Sequence, residues 1–265
     1  MKASITITLL LICTSAAAQR AVLNRVQIKE AEQRLSDLGF WTGPIDGVLD
    51  PGTRSALIAF QKWAGREATG EFDVGEFDAM RTMAPPRARE NGYEHVEVDL
   101  DRQVLMLVSV DGSVKVLPVS TGNNQTFVDE GQESIAYTPR GRFLVYYKEM
   151  GWKTGSLGST YYANFISGGV AIHGSRSVPN APASHGCIRI PMFASREVSR
   201  LLKLGTIVLV YDRVSFVSAK DWVKNPKLKE AALAHVAADD DYVNEAPERT
   251  AKPAVRKSRP RLIRA

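Results

Sequence analysis

Residues 171–174, Ala-Ile-His-Gly, and residues 184–189, Ser-His-Gly-Cys-Ile-Arg, decide how this chain is interpreted. The apolar run at 169–172 predicts a short buried strand that delivers His173 at its end. Residues 174–183, rich in Pro, Ala, Ser and Asn, predict a loop that brings the chain back to Cys187. A thiol nucleophile requires a base within hydrogen-bond distance. We therefore predict a reactive site formed by Cys187 and an imidazole.

Two histidines near Cys187 could act as that base. His185 lies two residues before the cysteine and faces the same side only if this segment is extended, whereas His173 can face the sulfur from a neighbouring strand. We favour His173. An inert core thiol and a zinc site formed by His173, His185 and Cys187 stay open as alternatives. The ligand spacing is irregular for zinc and a fourth ligand is missing, so we expect no metal and no cofactor. His95 and His235 are expected to be incidental.

Residues 1–18 predict a secretory signal peptide, because a positive start, a short apolar run and three alanines follow one another. The apolar run is too short to span a bilayer. Cleavage would remove Cys13 and leave Cys187 without a disulfide partner. A lipid anchor on Cys13 is the alternative, which the bulky Ile12 before it disfavours. We expect the protein to be exported to an oxidising compartment, where an unpaired thiol suggests a reactive role.

The formal net charge is +5, and much of the positive excess lies near the end of the chain. Residues 214–265 predict a largely disordered tail with an acidic run followed by Pro- and Arg-rich sequence. A solvated tail is the simplest interpretation, and a weak electrostatic contact with the wall or membrane is the alternative. Aromatic residues do not alternate with the basic ones, so no nucleic-acid partner is expected. The oligomeric state is not indicated.

Residues 26–84 show helical periodicity interrupted by turns. Gly39 is expected to stop a first helix, Pro51 suits the first turn of a second, and Asp73 could cap a third. These features predict a small domain of three short helices. Residues 85–92 contain a Pro-Pro pair without periodicity and predict a linker. The apolar positions of the first helix are Ile28, Ala31, Leu35 and Leu38.

Residues 93–213 change to a period of two, which is typical of strands. Asp111-Gly112 between two apolar runs predicts a hairpin. Further strands are predicted at 143–147, 170–172 and 206–211. A helix is predicted at 193–204, with Val198, Leu201 and Leu202 on its apolar face. The fold class is therefore multidomain α and β, a small three-helix domain followed by a predominantly β sandwich or barrel with at least one helix.

The helical segment resembles the three-helix peptidoglycan-binding domain often attached to wall enzymes. The resemblance implies binding to peptidoglycan, with a helical spacer that binds nothing as the alternative. The matching positions are Gln33-Arg34-Leu35, Leu38-Gly39-Phe40, Asp46-Gly47, Pro51, Thr53, Phe60-Gln61 and Thr69-Gly70.

The β-rich segment resembles the L,D-transpeptidases in His173-Gly174, in 184–189 and in Thr138–Phe143. The resemblance implies that Cys187 forms a thioester with a donor stem peptide and that His173 transfers the proton. The carbonyl of Gly174 would orient the ring, and backbone N–H groups around 185–187 would form an oxyanion hole. The remaining implied site residues are His185 and Gly186 in the catalytic set, and Ser184 and Arg189 in substrate binding.

Peptidoglycan stem peptides and glycan are the partners that this resemblance implies. It also implies secretion across the inner membrane to the periplasm or cell wall. Three functions remain open at this stage. The thioester could pass to a neighbouring stem's amine, which forms a crosslink. Water could take it instead, which gives a carboxypeptidase or a crosslink-cleaving hydrolase. In the third case the domain is catalytically inactive and serves as a wall-binding scaffold.

Overall fold

A computed structural model describes residues 23–213 of the chain. The predicted signal peptide at 1–18 and the predicted tail at 214–265, which includes His235, lie outside the described residues. Within 23–213, no helix is long and apolar enough to cross a membrane. The helices are α1 (Arg25–Asp37), α2 (Pro51–Trp63), α3 (Val74–Thr82) and α4 (Met192–Leu201).

Polar caps begin each of the first three helices, which form the helical region of the fold. Asn24 and Gln27 form a capping box on α1. Asp50 caps α2 just before Pro51, and Asp73 caps α3 by accepting a hydrogen bond from the Glu76 N–H, as predicted. Each acidic or amide side chain satisfies N–H groups that the helix itself leaves unpaired.

Twelve strands occupy most of the remaining described residues. The first sheet has the order β3-β2-β1-β12-β6, with β1 and β12 parallel. The second has the order β11-β10-β9-β7, and β8 pairs with β9. β4 and β5 form a separate hairpin. The bounds are β1 (His95–Asp99), β2 (Val104–Val108), β3 (Val114–Pro118), β4 (Thr126–Asp129), β5 (Gln132–Ile135), β6 (Gly141–Leu144), β7 (Tyr147–Lys148), β8 (Trp152–Gly155), β9 (Gly158–Ser167), β10 (Val170–Ser175), β11 (Ile188–Pro191) and β12 (Ile207–Tyr211).

The first sheet is buried on both faces. Alternate side chains such as Val96 and Leu105 enter a core shared with the second sheet and α4. The intervening side chains, including Met106 and Val116, enter a second core shared with α1, α2 and α3. The β-rich domain with one helix confirms the predicted fold class, and the shared core joins the helical region to it directly.

Two details of the predicted elements are wrong. The strand predicted at 143–147 is interrupted, because the chain there passes from one sheet to the other: Val145 N–H donates to Thr206 O, and Tyr146 N–H donates to Phe165 O. Leu201, predicted on the apolar face of α4, is 46% exposed, whereas Val198 and Leu202 are buried. Val198 and Leu202 are four residues apart and share the buried face, and Leu201 lies about 100° around the helix from Leu202.

His95 is not incidental to the structure. It is buried in β1, with Nε2 3.1 Å from Glu97 Oε1 and Nδ1 2.9 Å from Tyr93 O. Glu97 also accepts hydrogen bonds from the backbone N–H groups of Arg89 and Glu90. This buried network fastens the end of the predicted linker to the first sheet.

Candidate active site

Two adjacent parallel strands bring the predicted site residues together. β10 and β11 are parallel, and His173 is the register partner of Arg189. Cys187 immediately precedes β11, so the thiol lies at the start of the strand next to the one that carries the imidazole. The loop between β10 and β11 returns the chain to the same edge of the sheet, so the two strands pair in parallel and bring Cys187 close to His173.

A network of side-chain hydrogen bonds holds residues 184–187, here called the thiol turn. Ser184 Oγ donates to Cys187 O at 2.5 Å and accepts from the Gly186 N–H at 3.0 Å. Thr138 Oγ1 donates to Gly186 O at 2.7 Å. Gly186 has φ of +134°, and a Cβ there would lie 2.8 Å from Tyr137 O, so only glycine fits.

The surroundings of His173 define its tautomer. Nδ1 lies 3.0 Å from Gly174 O, and a carbonyl oxygen only accepts, so Nδ1 carries the proton and Nε2 keeps a lone pair. Burial lowers the pKa of His173; the Gly174 carbonyl opposes this shift and the Arg189 charge adds to it. A neutral imidazole with a free lone pair is a competent base near neutral pH.

Gly174 also has a steric reason to be glycine. A Cβ at this position would lie 2.1 Å from Ser195 Oγ on α4. Helix α4 therefore packs directly against the backbone that supports His173.

Cys187 is a partly exposed free thiol. Its Sγ donates to Gly169 O at 3.5 Å. Burial raises the pKa of the Cys187 thiol, while the Ala171 N–H and the Arg189 charge oppose the rise. The thiol is therefore protonated at rest near neutral pH, and it needs a base before it can attack a carbonyl.

A cleft of about 1280 Å³ contains five of the seven predicted site residues: His173, Ser184, His185, Cys187 and Arg189 all line it. Gly174 and Gly186 support the site from behind through the backbone contacts described above. The hairpins β4–β5 and β8–β9 supply much of the remaining wall, including Phe127 and Trp152. His185 is exposed, and its ring lies 4.6 Å from that of Phe127.

Two guanidinium groups face this cleft. Arg189 lies on β11, and Arg176 lies 4.8 Å above the Trp152 ring. Neither makes an ion pair with any residue in the described range 23–213. Both positive charges are therefore available to an anionic group. Among the same residues, no three His, Cys, Asp or Glu side chains lie close enough to hold a metal ion.

Several residues that build the site were not predicted from the sequence. Thr138 was noted only as part of a motif, yet its hydroxyl links the Gly122 N–H to the thiol turn. Hairpin β4–β5 was not predicted, because its exposed strands lack an apolar face. The Gly186 N–H, included in the predicted oxyanion hole, is already donated to Ser184 Oγ.

Comparison with known proteins gives the family. An L,D-transpeptidase catalytic domain matches residues 93–210, and a putative peptidoglycan binding domain matches residues 24–80. The crystal structure of an L,D-transpeptidase from Xylanimonas cellulosilytica is similar, with 36% identity, coverage of 70% of this chain and 93% of that chain, and a TM-score of 0.66. An L,D-transpeptidase from Stackebrandtia nassauensis has 23% identity, coverage of 69% and 90%, and a TM-score of 0.41.

No curated protein matches the chain. The identity to the Xylanimonas cellulosilytica structure, over nearly all of that chain, nevertheless decides the assignment. The chain belongs to the L,D-transpeptidase family, and it carries an N-terminal peptidoglycan-binding domain.

Proposed function

We propose that this protein crosslinks peptidoglycan stem peptides through a thioester on Cys187. The observation that carries the proposal is that His173 and Cys187 line one cleft from adjacent parallel strands, with His173 Nδ1 bonded to Gly174 O so that Nε2 keeps its lone pair. Each group has the protonation state that the other requires, because the thiol must lose a proton and Nε2 can accept one.

In the first half-reaction, the Cys187 thiol gives its proton to His173 Nε2, and the sulfur attacks the carbonyl carbon of the third residue of a tetrapeptide stem. The tetrahedral intermediate collapses, and the terminal amino acid leaves after its nitrogen takes the proton from His173. A thioester remains. Since the Gly186 N–H is engaged, the amides of His185 and Cys187 are the proposed oxyanion donors.

In the second half-reaction, the amine of a neighbouring stem attacks the thioester carbonyl. His173 takes the amine's proton and returns it to the leaving sulfur, so the thiol is regenerated and a new amide bond forms. Ser184 positions the thiol turn through its two hydrogen bonds. Arg189, adjacent to both reacting groups and without an ion-pair partner in 23–213, would bind a stem carboxylate.

Hydrolysis of the same thioester is a second candidate. The exposed strands β5 and β8 border the cleft, so water can approach it as well as an amine can. The products distinguish the two functions: crosslinked dimers indicate transfer, and tripeptide alone indicates hydrolysis.

We also propose that the helical region, residues 24–80, binds wall peptidoglycan and that the protein acts outside the cytoplasm. The substrate is found there, and residues 1–18 have the pattern of a signal peptide. Co-sedimentation of purified protein with isolated sacculi tests the binding. Mass spectrometry of the exported protein tests cleavage after residue 18.

The activity is tested by incubating the full chain with disaccharide tetrapeptides and analysing products by mass spectrometry. We expect release of the terminal amino acid together with crosslinked dimers. Cys187→Ser and His173→Gln should abolish both products while the chains still bind sacculi. A lack of turnover by the wild type, with intact sacculus binding, would instead support the inactive-scaffold alternative.

A further inference from the structure

One lysine of the helical region reaches into the β-rich domain. Lys62 lies near the end of α2 and is 9% exposed. Its Nζ donates to Val119 O at 3.0 Å and to Gln103 O at 3.4 Å. Burial lowers the pKa of Lys62 to about 8. A cation is costly at such a site unless carbonyl oxygens replace water around it.

The backbone that Lys62 contacts continues directly to the thiol turn. Residues 119–123, here called the bridging segment, follow β3. Ser120 exchanges two backbone hydrogen bonds with Arg189, at 3.0 and 3.2 Å. Thr121 O accepts from the N–H groups of Ala183 and Ser184, both at 2.9 Å. The bridging segment therefore holds the backbone on either side of the thiol turn.

Gln103 fixes the other side of the bridging segment. Its Oε1 accepts from the Thr121 N–H at 3.0 Å, and its Nε2 donates to Thr121 Oγ1 at 2.8 Å. Its backbone has φ of +55°, which is uncommon for a residue with a side chain. Lys62 Nζ bonds the carbonyl of this same residue, so it bridges the two backbone segments that position Thr121.

We infer that Lys62 is a positioning residue for the thiol turn, through which the helical region forms part of the catalytic unit as well as an anchor. Without the ammonium group, Val119 O loses the donor that Lys62 supplies, whereas Gln103 O keeps the Val119 N–H at 2.9 Å. The bridging segment can then shift, and the Cys187–His173 geometry shifts with it. A second contact, from Asn180 Nδ2 to Ala68 O, joins the same two parts of the protein on the loop before the thiol turn.

This inference rests on the proposed function only where kcat is measured. The test compares Lys62→Met, which keeps the length of the side chain but removes its donors, with Lys62→Gln, which keeps one amide donor. Lys29→Met is the matched control, since Lys29 is exposed on α1 of the same region. A soluble tetrapeptide is the substrate, because its turnover does not depend on wall binding. The second readout is the rate of Cys187 alkylation by iodoacetamide, which needs no substrate.

We expect Lys62→Met to lower kcat about tenfold or more, with KM changed by less than about threefold, because a small displacement of reacting groups chiefly affects the chemical step. Alkylation of Cys187 should change about threefold or more as its surroundings change. Lys62→Gln should fall between Lys62→Met and the wild type. Sacculus binding should be unchanged in both Lys62 variants, and Lys29→Met should match the wild type in kcat and in the alkylation rate.

Wild-type values of both kcat and the alkylation rate in Lys62→Met would overturn the inference. An equal loss of kcat in Lys29→Met would also overturn it, because the loss would then result from removing a positive charge anywhere in the helical region. If Lys62→Met does not fold, the kcat and the alkylation rate of Lys62→Gln decide whether Lys62 positions the thiol turn. If the wild type turns over no stem peptide, the proposed function fails, and the alkylation rates alone decide whether Lys62 positions the thiol turn.

Discussion

Phe60 is fully buried in the core that the helical region shares with the first sheet. Its ring contacts that of Phe40 edge to face, with centroids 5.8 Å apart. Met106 and Val116 of the sheet belong to the same core. Replacing Phe60 by Ala should therefore destabilise the β-rich domain together with the helices.

The magnitude follows from complete burial. A Phe→Ala change in a closed core costs about 3–5 kcal/mol, and loss of the edge-to-face pair with Phe40 places this case near the upper end. For a folded unit of this size, each kcal/mol corresponds to about 2–4 °C in Tm. A cost of about 4–5 kcal/mol should therefore lower the Tm of Phe60→Ala by about 8–20 °C.

Two probes report on the two parts of the molecule. Far-UV circular dichroism follows the helices during thermal unfolding, and pulse labelling of Cys187 follows the β-rich domain. Both midpoints should decrease together in Phe60→Ala. Val26→Ala, at a 76% exposed position on α1, is the control and should change stability by no more than about 0.5 kcal/mol. A lower midpoint for the helices with unchanged labelling of Cys187 would refute the shared core.

Three further predictions concern the site and its support. The pKa of His173 is below its ordinary value of 6.5, so kcat/KM should fall with acid only below pH 6.5. The pKa of Cys187 is above its ordinary value of 9.0, so the rate of Cys187 alkylation without substrate should still rise above pH 9. An alkylation rate that is already constant from pH 6 would contradict this. Thr138→Val should lower kcat, and it should lower the free energy of unfolding in urea by about 1–3 kcal/mol, because Gly186 O loses its donor. An unchanged kcat would exclude a role of Thr138 in positioning the thiol turn. Burial alone would raise the pKa of Glu97, but hydrogen bonds from His95 and from backbone N–H groups outweigh burial and lower it. The free energy of unfolding should therefore decrease as pH falls below 4.5, and it should depend less steeply on pH in Glu97→Gln. An equal pH dependence in the two proteins would contradict the assignment.

Local signals in the sequence predicted local structure well. Asp111-Gly112 forms the predicted hairpin, because the tight turn and the flanking apolar runs require only neighbouring residues. Pro51 and Asp73 begin helices for the same reason. His173 and Cys187 could be paired in advance because thiol chemistry needs a base, and one histidine followed a buried strand.

The features that the sequence did not predict depend on distant partners. The apolar run Val104–Val108 was interpreted as one strand of a sheet, but its burial on both faces depends on the three helices encoded earlier in the chain. Lys62 has the sequence context of an ordinary surface lysine, and only folding places two carbonyl oxygens around it. Thr138 is similar, since a hydroxyl gives no indication of which backbone groups it will join.

The central claim is that Cys187 carries the acyl group and that His173 accepts its proton. Intact-protein mass spectrometry after mixing the full chain with a disaccharide tetrapeptide tests it most directly. We predict an adduct of the tripeptide acyl mass on Cys187 in the wild type, a strongly reduced rate of its formation in His173→Gln, and no adduct in Cys187→Ser. Product formation without an adduct at Cys187, or an adduct that forms equally fast in His173→Gln, would contradict the mechanism.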